Sequence, residues 1–331
     1  MKRQQLLHDW LKNLYPDHPF TLAPASADAS FRRYFRATFA DRTLIVMDAP
    51  PQQEDCRPFI HVAKLFAQAG VNVPEIIAQD LNQGFLLLSD LGKITYLEAL
   101  NTDSNRLLYQ DACNALIRIQ LASKPGNLPA YDEAMLLREM RLFPEWYIGK
   151  HLKFDLNEKQ QAMLESTFHK IVQNNLAQPR VYVHRDYHSR NLMVTAPNPG
   201  VLDFQDAVFG PITYDLVSLF KDAYIGWREA DTLDWLIRYW ENARKAGLPV
   251  HADFGEFYRD YEWMGVQRHL KVLGIFARLY HRDGKEGYLK DMPLVMNYLR
   301  KACERYIDLK PLLKLLDELE PQADQQVGYT F

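Results

Sequence analysis

"VYVHRDYHSRNLMV" occupies residues 181–194. Apolar Val181–Val183 and Leu192–Val194 enclose two histidines, two arginines, an aspartate and an asparagine. Short β-type runs around a polar stretch read as a hairpin with its polar groups at a rim. The chain supplies its own control, because "HRD" recurs at His281-Arg282-Asp283. In the first copy Asn191 stands five residues past Asp186, and Asp203 follows within the apolar run "VLDF". In the second copy Tyr288 stands five residues past Asp283. That copy lies between helical patterns and reads as a helix end stopped by Gly284.

The first spacing satisfies H-R-D-x-x-x-x-N, the catalytic loop of kinases. Phosphoryl transfer to a hydroxyl needs a carboxylate to orient the nucleophile and accept its proton, here Asp186. It also needs hard oxygen ligands for Mg²⁺ on the ATP phosphates, here Asn191 and Asp203. A second reading uses the alternation of His184, Asp186 and His188, which on a strand would share one face and could bind a metal as in a metallohydrolase. That reading leaves Asn191 without a role, and His251, His269 and His281 add no supporting spacing.

Bulk composition sets the outer limits. The 331 residues suit two domains or one two-lobed domain. With 47% hydrophobic and 24% charged residues and a net charge of −3, nothing points to nucleic acid or an anionic membrane as partner. Cys56, Cys113 and Cys303 match no disulfide or zinc spacing, so a reducing cytoplasm is expected. The first twenty residues carry Asp9, Lys12 and Asp17 where a signal peptide needs an unbroken apolar run. Leu6, Leu7, Trp10, Leu11 and Leu14 fit one face of a helix instead.

After that helix, "FTLAPAS" (20–26), "FRRYFRATFA" (31–40) and "RTLIVMDAP" (42–50) predict strands. A helix is expected around 57–70, then strands over 75–80 and 84–91 joined by the turn "LNQG". Periodic apolar residues predict helices over 104–123, 132–148, 157–176, 213–227, 231–247, 253–280 and 288–309. The expected fold class is α+β. A small antiparallel sheet with one helix forms residues 1–91, and a mainly helical part, broken by the β island at 180–207, forms residues 92–331.

"HRDYHSRNLMV" followed by "VLDFQDAVFGPITYDLVSLF" resembles the aminoglycoside phosphotransferase family of small-molecule kinases, over nearly the whole chain. "SADASFRRYFRA", "GFLLLSDLG" and "QRHLKVLGIFARLYHRDGKEGYLKDMP" resemble the branch that phosphorylates the anomeric hydroxyl of N-acetylmuramate and N-acetylglucosamine in cell-wall recycling. The resemblance implies a two-lobed protein-kinase-like fold, ATP and Mg²⁺ as cofactors, and a monomer. It assigns Asp186 as base and Asn191 and Asp203 as Mg²⁺ ligands. It lays Ser26, Ala27, Asp28, Ala29 and Ser30 over the phosphates, and gives Ser89, Asp90 and Leu91 to the adenine. Choline, homoserine or an aminoglycoside would be the alternative acceptors. His188, Arg190 and Asp206 are candidate substrate residues. Arg268 and Lys271, three apart on one helix face, are candidates for the lactyl carboxylate of N-acetylmuramate. Trp227, Trp235, Trp240, Trp263, Tyr224 and Tyr261 could stack on a sugar, although at helical spacing such residues also build cores. Asp215 reads either as a helix first-turn charge or as a catalytic group.

One departure stands out. Kinases place a lysine in the third strand against the phosphates. Here that place holds Met47, with Asp48 beside it. Arg32 or Arg33 could supply the cation, since guanidinium engages phosphate with paired hydrogen bonds. Without such a cation the chain would be a non-catalytic nucleotide-binding module.

Overall fold

The structure, a computed structural model, describes residues 2–27 and 31–320. Its elements run α1 (Lys2–Leu14), β1 (Thr21–Ala27), β2 (Arg33–Thr38), β3 (Thr43–Asp48), α2 (Cys56–Gln68), β4 (Ile76–Asp80), β5 (Phe85–Ser89), α3 (Tyr96–Ala99) and α4 (Asn105–Leu121). There follow α5 (Glu133–Met140), a π-helix (Phe143–His151), α6 (Glu158–Ala177), β6 (Arg180–Val183), β7 (Leu192–Met193), β8 (Gly200–Val201) and β9 (Val208–Pro211). The chain continues with α7 (Tyr214–Phe220), α8 (Glu229–Lys245), α9 (Phe254–Asp283), α10 (Met292–Arg305) and α11 (Lys310–Leu319).

Residue contacts divide the chain into two compact units. One joins residues 1–122 with 190–207, and the other joins 123–189 with 208–331. The division therefore departs from the 1–91 and 92–331 split expected from sequence. The physical reason is the β7–β8 hairpin. Its Val201 amide bonds the Asn72 carbonyl at 2.8 Å, and its Val194 amide bonds the Ile94 carbonyl at 2.9 Å. Those main-chain bonds stitch it into the sheet-bearing unit.

In that unit the sheet is fully antiparallel, in the order β1-β2-β3-β5-β4. Alternation along β2 and β3 decides which residues face where. Phe35, Ala37, Leu44 and Val46 pack with Phe85 and Leu87 against Leu7 and Leu11 of α1. Burying each such leucine contributes about 1.5–3 kcal/mol. The expected face of α1 is trimmed, because Leu6 and Leu14 remain 47% and 41% exposed. In register with that core face, Arg33 lies opposite Asp48, whereas Tyr34 lies opposite Met47 on the other face. Asp48 is fully buried and bonds both Arg3 of α1 and Arg33. The carboxylate beside Met47 is thus an internal clamp between α1 and the sheet. Gly84, in the predicted turn, has φ +72°, and a Cβ there would stand 1.9 Å from the Ala49 carbonyl oxygen.

The other unit is helical around α9, thirty residues long. Asp253 caps its first turn by accepting from the Glu256 amide, and Gly284, at φ 67°, ends it. The second "HRD" is therefore the last turn of α9, as its surroundings predicted. Three predicted helices are cut short, the 288–309 one to α10 between 3₁₀ turns at Glu286–Asp291 and Ile307–Leu309. The 132–148 helix becomes α5 and a π-helix, because Pro144 breaks the α ladder. The 213–227 helix stops at Phe220 because Asp222 turns inward, accepting from the Tyr224 amide at 3.0 Å and the Ser189 amide at 2.9 Å. The strand β9, paired with β6, was not anticipated from sequence. No helix among the described residues is long and apolar enough to cross a membrane.

Candidate active site

The helical unit carries the first half of the decisive stretch. Strand β6 pairs with β9 as far as Val183 and Val208. The chain then turns sharply, and Arg185 sits at φ 77°, a left-handed conformation costly for a side chain of its size. Asp215, near the start of α7, stabilises that turn. Its Oδ2 accepts from the His184 amide at 2.7 Å and its Oδ1 from the Arg185 amide at 3.0 Å. Burial raises the Asp215 carboxyl to about 7, against the two amide bonds and the charge of Arg268. Asp215 lies in the first turn of α7, and the two amides it accepts fix the backbone just before Asp186. His184 adds a further brace, its Nδ1 accepting from the Asp186 amide at 3.2 Å.

Behind Asp186 lies a buried charged cluster. Arg268 Nη1 donates to the Arg185 carbonyl at 2.9 Å and to the Tyr214 hydroxyl at 3.2 Å, and stands 3.8 Å from Asp186 Oδ1. Lys271 Nζ donates to the same Tyr214 hydroxyl at 2.9 Å and pairs with Glu139 at 3.2 Å. Glu139 also bonds Arg185, the Tyr131 hydroxyl and, at 3.1 Å, Gln267 Nε2. The Asp186 side chain keeps 39% of its surface exposed, against 7% for Arg268 and 6% for Lys271. Burial alone would raise the Asp186 pKa. Lys271 and Arg268, then His188 and Arg185, outweigh it and hold the carboxyl well below the usual carboxylate range. An ionised carboxylate, open on one side and backed by cations on the other, is suited to orienting a hydroxyl.

The sheet-bearing unit carries the second half. Asn191 accepts at its carbonyl from the Leu202 amide at 2.9 Å, and its Nδ2 donates to Asp203 Oδ2 at 3.3 Å. Asp203, at φ 60°, also accepts at Oδ1 from Gln205 Nε2 at 2.8 Å. Arg32 Nη2 stands 3.8 Å from Asp203 Oδ1, its side chain 11% exposed. Amide and carboxylate oxygens are the hard donors that suit Mg²⁺. No group of three or more histidine, cysteine, aspartate or glutamate side chains that could hold a metal gathers among the described residues. This disfavours the His184–Asp186–His188 metal triplet.

The remaining predicted residues fall as follows. Arg33 is paired with Asp48 on the α1 face, whereas Arg32 stands beside Asp203. Met47 is fully buried. Ser26 and Ala27 extend β1, paired with Tyr34 and Arg33, while Asp28, Ala29 and Ser30 lie outside the described residues, as does the tail 321–331. Asp90 bonds Arg36 at 2.6 Å and the Gly92 amide at 3.0 Å, and the Ser89 hydroxyl accepts from the Glu75 amide at 2.8 Å. Both side chains are thus engaged within the protein. Leu91 abuts β8, since a Cβ on Gly200 would meet its Cδ1 at 2.9 Å. His188 stands edge-on to Tyr224 with ring centroids 5.3 Å apart. Arg190 is half-buried and Asp206 exposed.

Two expectations need correction. Arg268 and Lys271 are buried and bonded to protein groups, so neither presents a cation for a substrate carboxylate. Trp235, Trp263 and Tyr261 are core residues, and Trp240 donates to the His251 carbonyl at 2.8 Å. Glu139 escaped the sequence reading altogether. Its signal was a carboxylate within the buried stripe of Leu136, Leu137 and Met140, a place where charge is rare unless paired.

Comparison with known proteins completes the picture. Residues 21–254 match the phosphotransferase enzyme family. The N-acetylmuramate/N-acetylglucosamine kinase of Neisseria meningitidis is 51% identical over 336 residues, covering 100% of both chains. Among solved structures, choline kinase LicA from Streptococcus pneumoniae superposes with a TM-score of 0.65 at 12% identity, over 91% of this chain and 100% of that one. The ADP-bound aminoglycoside phosphotransferase APH(2'')-Ib gives 0.58 at 13% identity, over 88% and 96%. These two share the protein-kinase-like fold, an antiparallel sheet followed by a mainly helical remainder. A carboxylate loop of kinase spacing, an asparagine–aspartate pair of hard oxygens, that fold and full-length identity agree: the chain belongs to the phosphotransferase enzyme family.

Proposed function

We propose that this protein transfers the γ-phosphoryl group of ATP to the anomeric hydroxyl of N-acetylmuramate and N-acetylglucosamine, in the reuse of cell-wall sugars. The observation that carries the reading is the 51% identity, over both full lengths, with a kinase named for those two sugars. The Asp186 carboxylate orients the C1 hydroxyl. The C1 oxygen bonds the γ-phosphorus, the bond from that phosphorus to the β,γ-bridging oxygen breaks, and ADP leaves. The proton of the C1 hydroxyl passes to Asp186 as the new bond forms. An anomeric hydroxyl is more acidic than other sugar hydroxyls, so a carboxylate held strongly ionised suffices, acting mainly by orientation. Asn191 and Asp203 would hold Mg²⁺, which when bound neutralises charge on the phosphates. Arg32 supplies a cation for phosphate where the third strand has Met47. Backbone groups of Ser89 to Leu91 read the adenine, and the Ser26 to Ser30 segment covers the phosphates.

The test is ATP consumption with N-acetylmuramate, N-acetylglucosamine, choline and an aminoglycoside, with Asp186→Asn as control. Turnover on the amino sugars that disappears in the variant is expected. Phosphorylation at C1 also abolishes the reducing end, so product that still reduces ferricyanide would overturn the anomeric assignment. Nucleotide-dependent thermal stabilisation without turnover on any acceptor would identify a binding module instead.

A further inference from the structure

The cluster behind Asp186 contains more charge than packing requires. Three cations, Arg185, Arg268 and Lys271, meet Glu139, Asp186 and Asp215, and all of them except Asp186 are largely closed to solvent. The cations come from two elements, the loop after β6 and α9. The carboxylates come from α5, from that same loop and from α7. Buried charges are costly to desolvate, and a fold keeps them only where each is paired. Lys271 and Arg268 lie three residues apart on one face of α9 and converge on the Tyr214 hydroxyl, which accepts from both. Glu139 fixes Lys271 from behind and Arg185 from the side. Both α9 cations are buried, and Arg268 stands 3.8 Å from Asp186 Oδ1 on the protein side.

We propose that Arg268, buttressed by Lys271, is a positioning residue for Asp186. Arg268 shares the Tyr214 hydroxyl with Lys271, which Glu139 holds in turn. It presents fixed positive charge 3.8 Å from the inner side of the Asp186 carboxylate and leaves the outer side for the acceptor hydroxyl. Arg268 also holds the Arg185 carbonyl, immediately before Asp186 in the chain, and so fixes the backbone as well as the charge. The charged and titratable groups facing Asp186 are Lys271 and Arg268 from α9, Arg185 and His188 from its own loop, and Asp215 from α7. Of these, Lys271 and Arg268 exert the largest charge effect. The inference rests on Asp186 acting in phosphoryl transfer to a hydroxyl.

The experiment compares kcat and KM for N-acetylglucosamine, an acceptor without a carboxylate, at saturating MgATP. Arg268→Met removes the charge that stands 3.8 Å from Asp186 Oδ1. Its kcat is expected to fall about tenfold or more, with KM for both substrates within about threefold of wild type. Arg268→Lys, which keeps the charge, is expected to recover most of the lost kcat. Should Arg268→Met fail to fold, Arg268→Gln against Arg268→Lys gives the same comparison. A folded charge-free variant with kcat near wild type overturns the proposal. So does a raised sugar KM with unchanged kcat, which would make Arg268 a substrate contact. The parent reading fails separately: wild-type protein without turnover, or turnover that survives Asp186→Asn, refutes Asp186 as the acting carboxylate.

Discussion

Asp215 makes a measurable claim about stability. It is 1% exposed and its carboxyl is raised to about 7. In the unfolded chain an aspartate titrates near 3.9. Below that pH both states hold the proton and no penalty exists. As pH rises above it, the unfolded chain releases the proton first, and folding costs about 1.4 kcal/mol more per pH unit. The cost levels off as pH passes the folded value, at roughly 4 kcal/mol. Between pH 5 and 7 this one group should remove about 2–2.5 kcal/mol of stability. Asp186 and Glu139, both lowered in the folded state, titrate below that window and add no slope there. Buried His269 is lowered and contributes the opposite slope, so wild type alone does not isolate Asp215. The comparison with Asp215→Asn does. The asparagine cannot accept both amides and loses one hydrogen bond, about 1–3 kcal/mol at every pH. It cannot ionise, so the pH-dependent part vanishes. Urea unfolding of both proteins at pH 5, 6 and 7 should show the variant's deficit shrinking by about 2 kcal/mol from pH 5 to 7. A deficit constant across that range would refute the reasoning. Activity should fall as well, because Arg185 then loses a bond that offsets its left-handed backbone.

Further expectations follow from single contacts. Arg32→Ala should weaken productive use of ATP by about 10–100-fold in kcat/KM, the worth of a charge-assisted bond of roughly 1.5–3 kcal/mol. Arg33→Ala should instead lower the melting temperature and leave ATP kinetics near wild type; equal kinetic loss in both variants would refute the assignment of the two faces. Removing both cations from Asp48 in Arg3→Ala, Arg33→Ala strands a buried carboxylate and should cost about 3–5 kcal/mol by urea unfolding. Gly274→Ala puts a Cβ 2.4 Å from the Leu142 carbonyl carbon, backbone that cannot swing aside, and should cost about 1–3 kcal/mol despite the better helix propensity of alanine.

Sequence by itself determined the fold class and singled out one loop. Short aromatic and aliphatic runs between polar turns marked the first three strands and β5, and the 3.6-residue period marked α4, α6, α8 and α9, since both signals are set by local backbone geometry. The H-R-D-x-x-x-x-N spacing separated the "HRD" after β6 from the copy at the end of α9, because the residues it counts lie close along the chain. Tertiary structure decided what depended on partners far apart in sequence. Strand register turns Arg33 toward Asp48, on the face that carries Arg3 of α1. That α7 ends at Phe220 was decided by Asp222 bonding the Ser189 amide, thirty-three residues away. The contacts of Asp215 with two backbone amides, and of Arg268 and Lys271 with Tyr214, likewise join residues far apart in the chain. Charges read from sequence have no sidedness; only packing shows whether a lysine meets a ligand or a buried carboxylate.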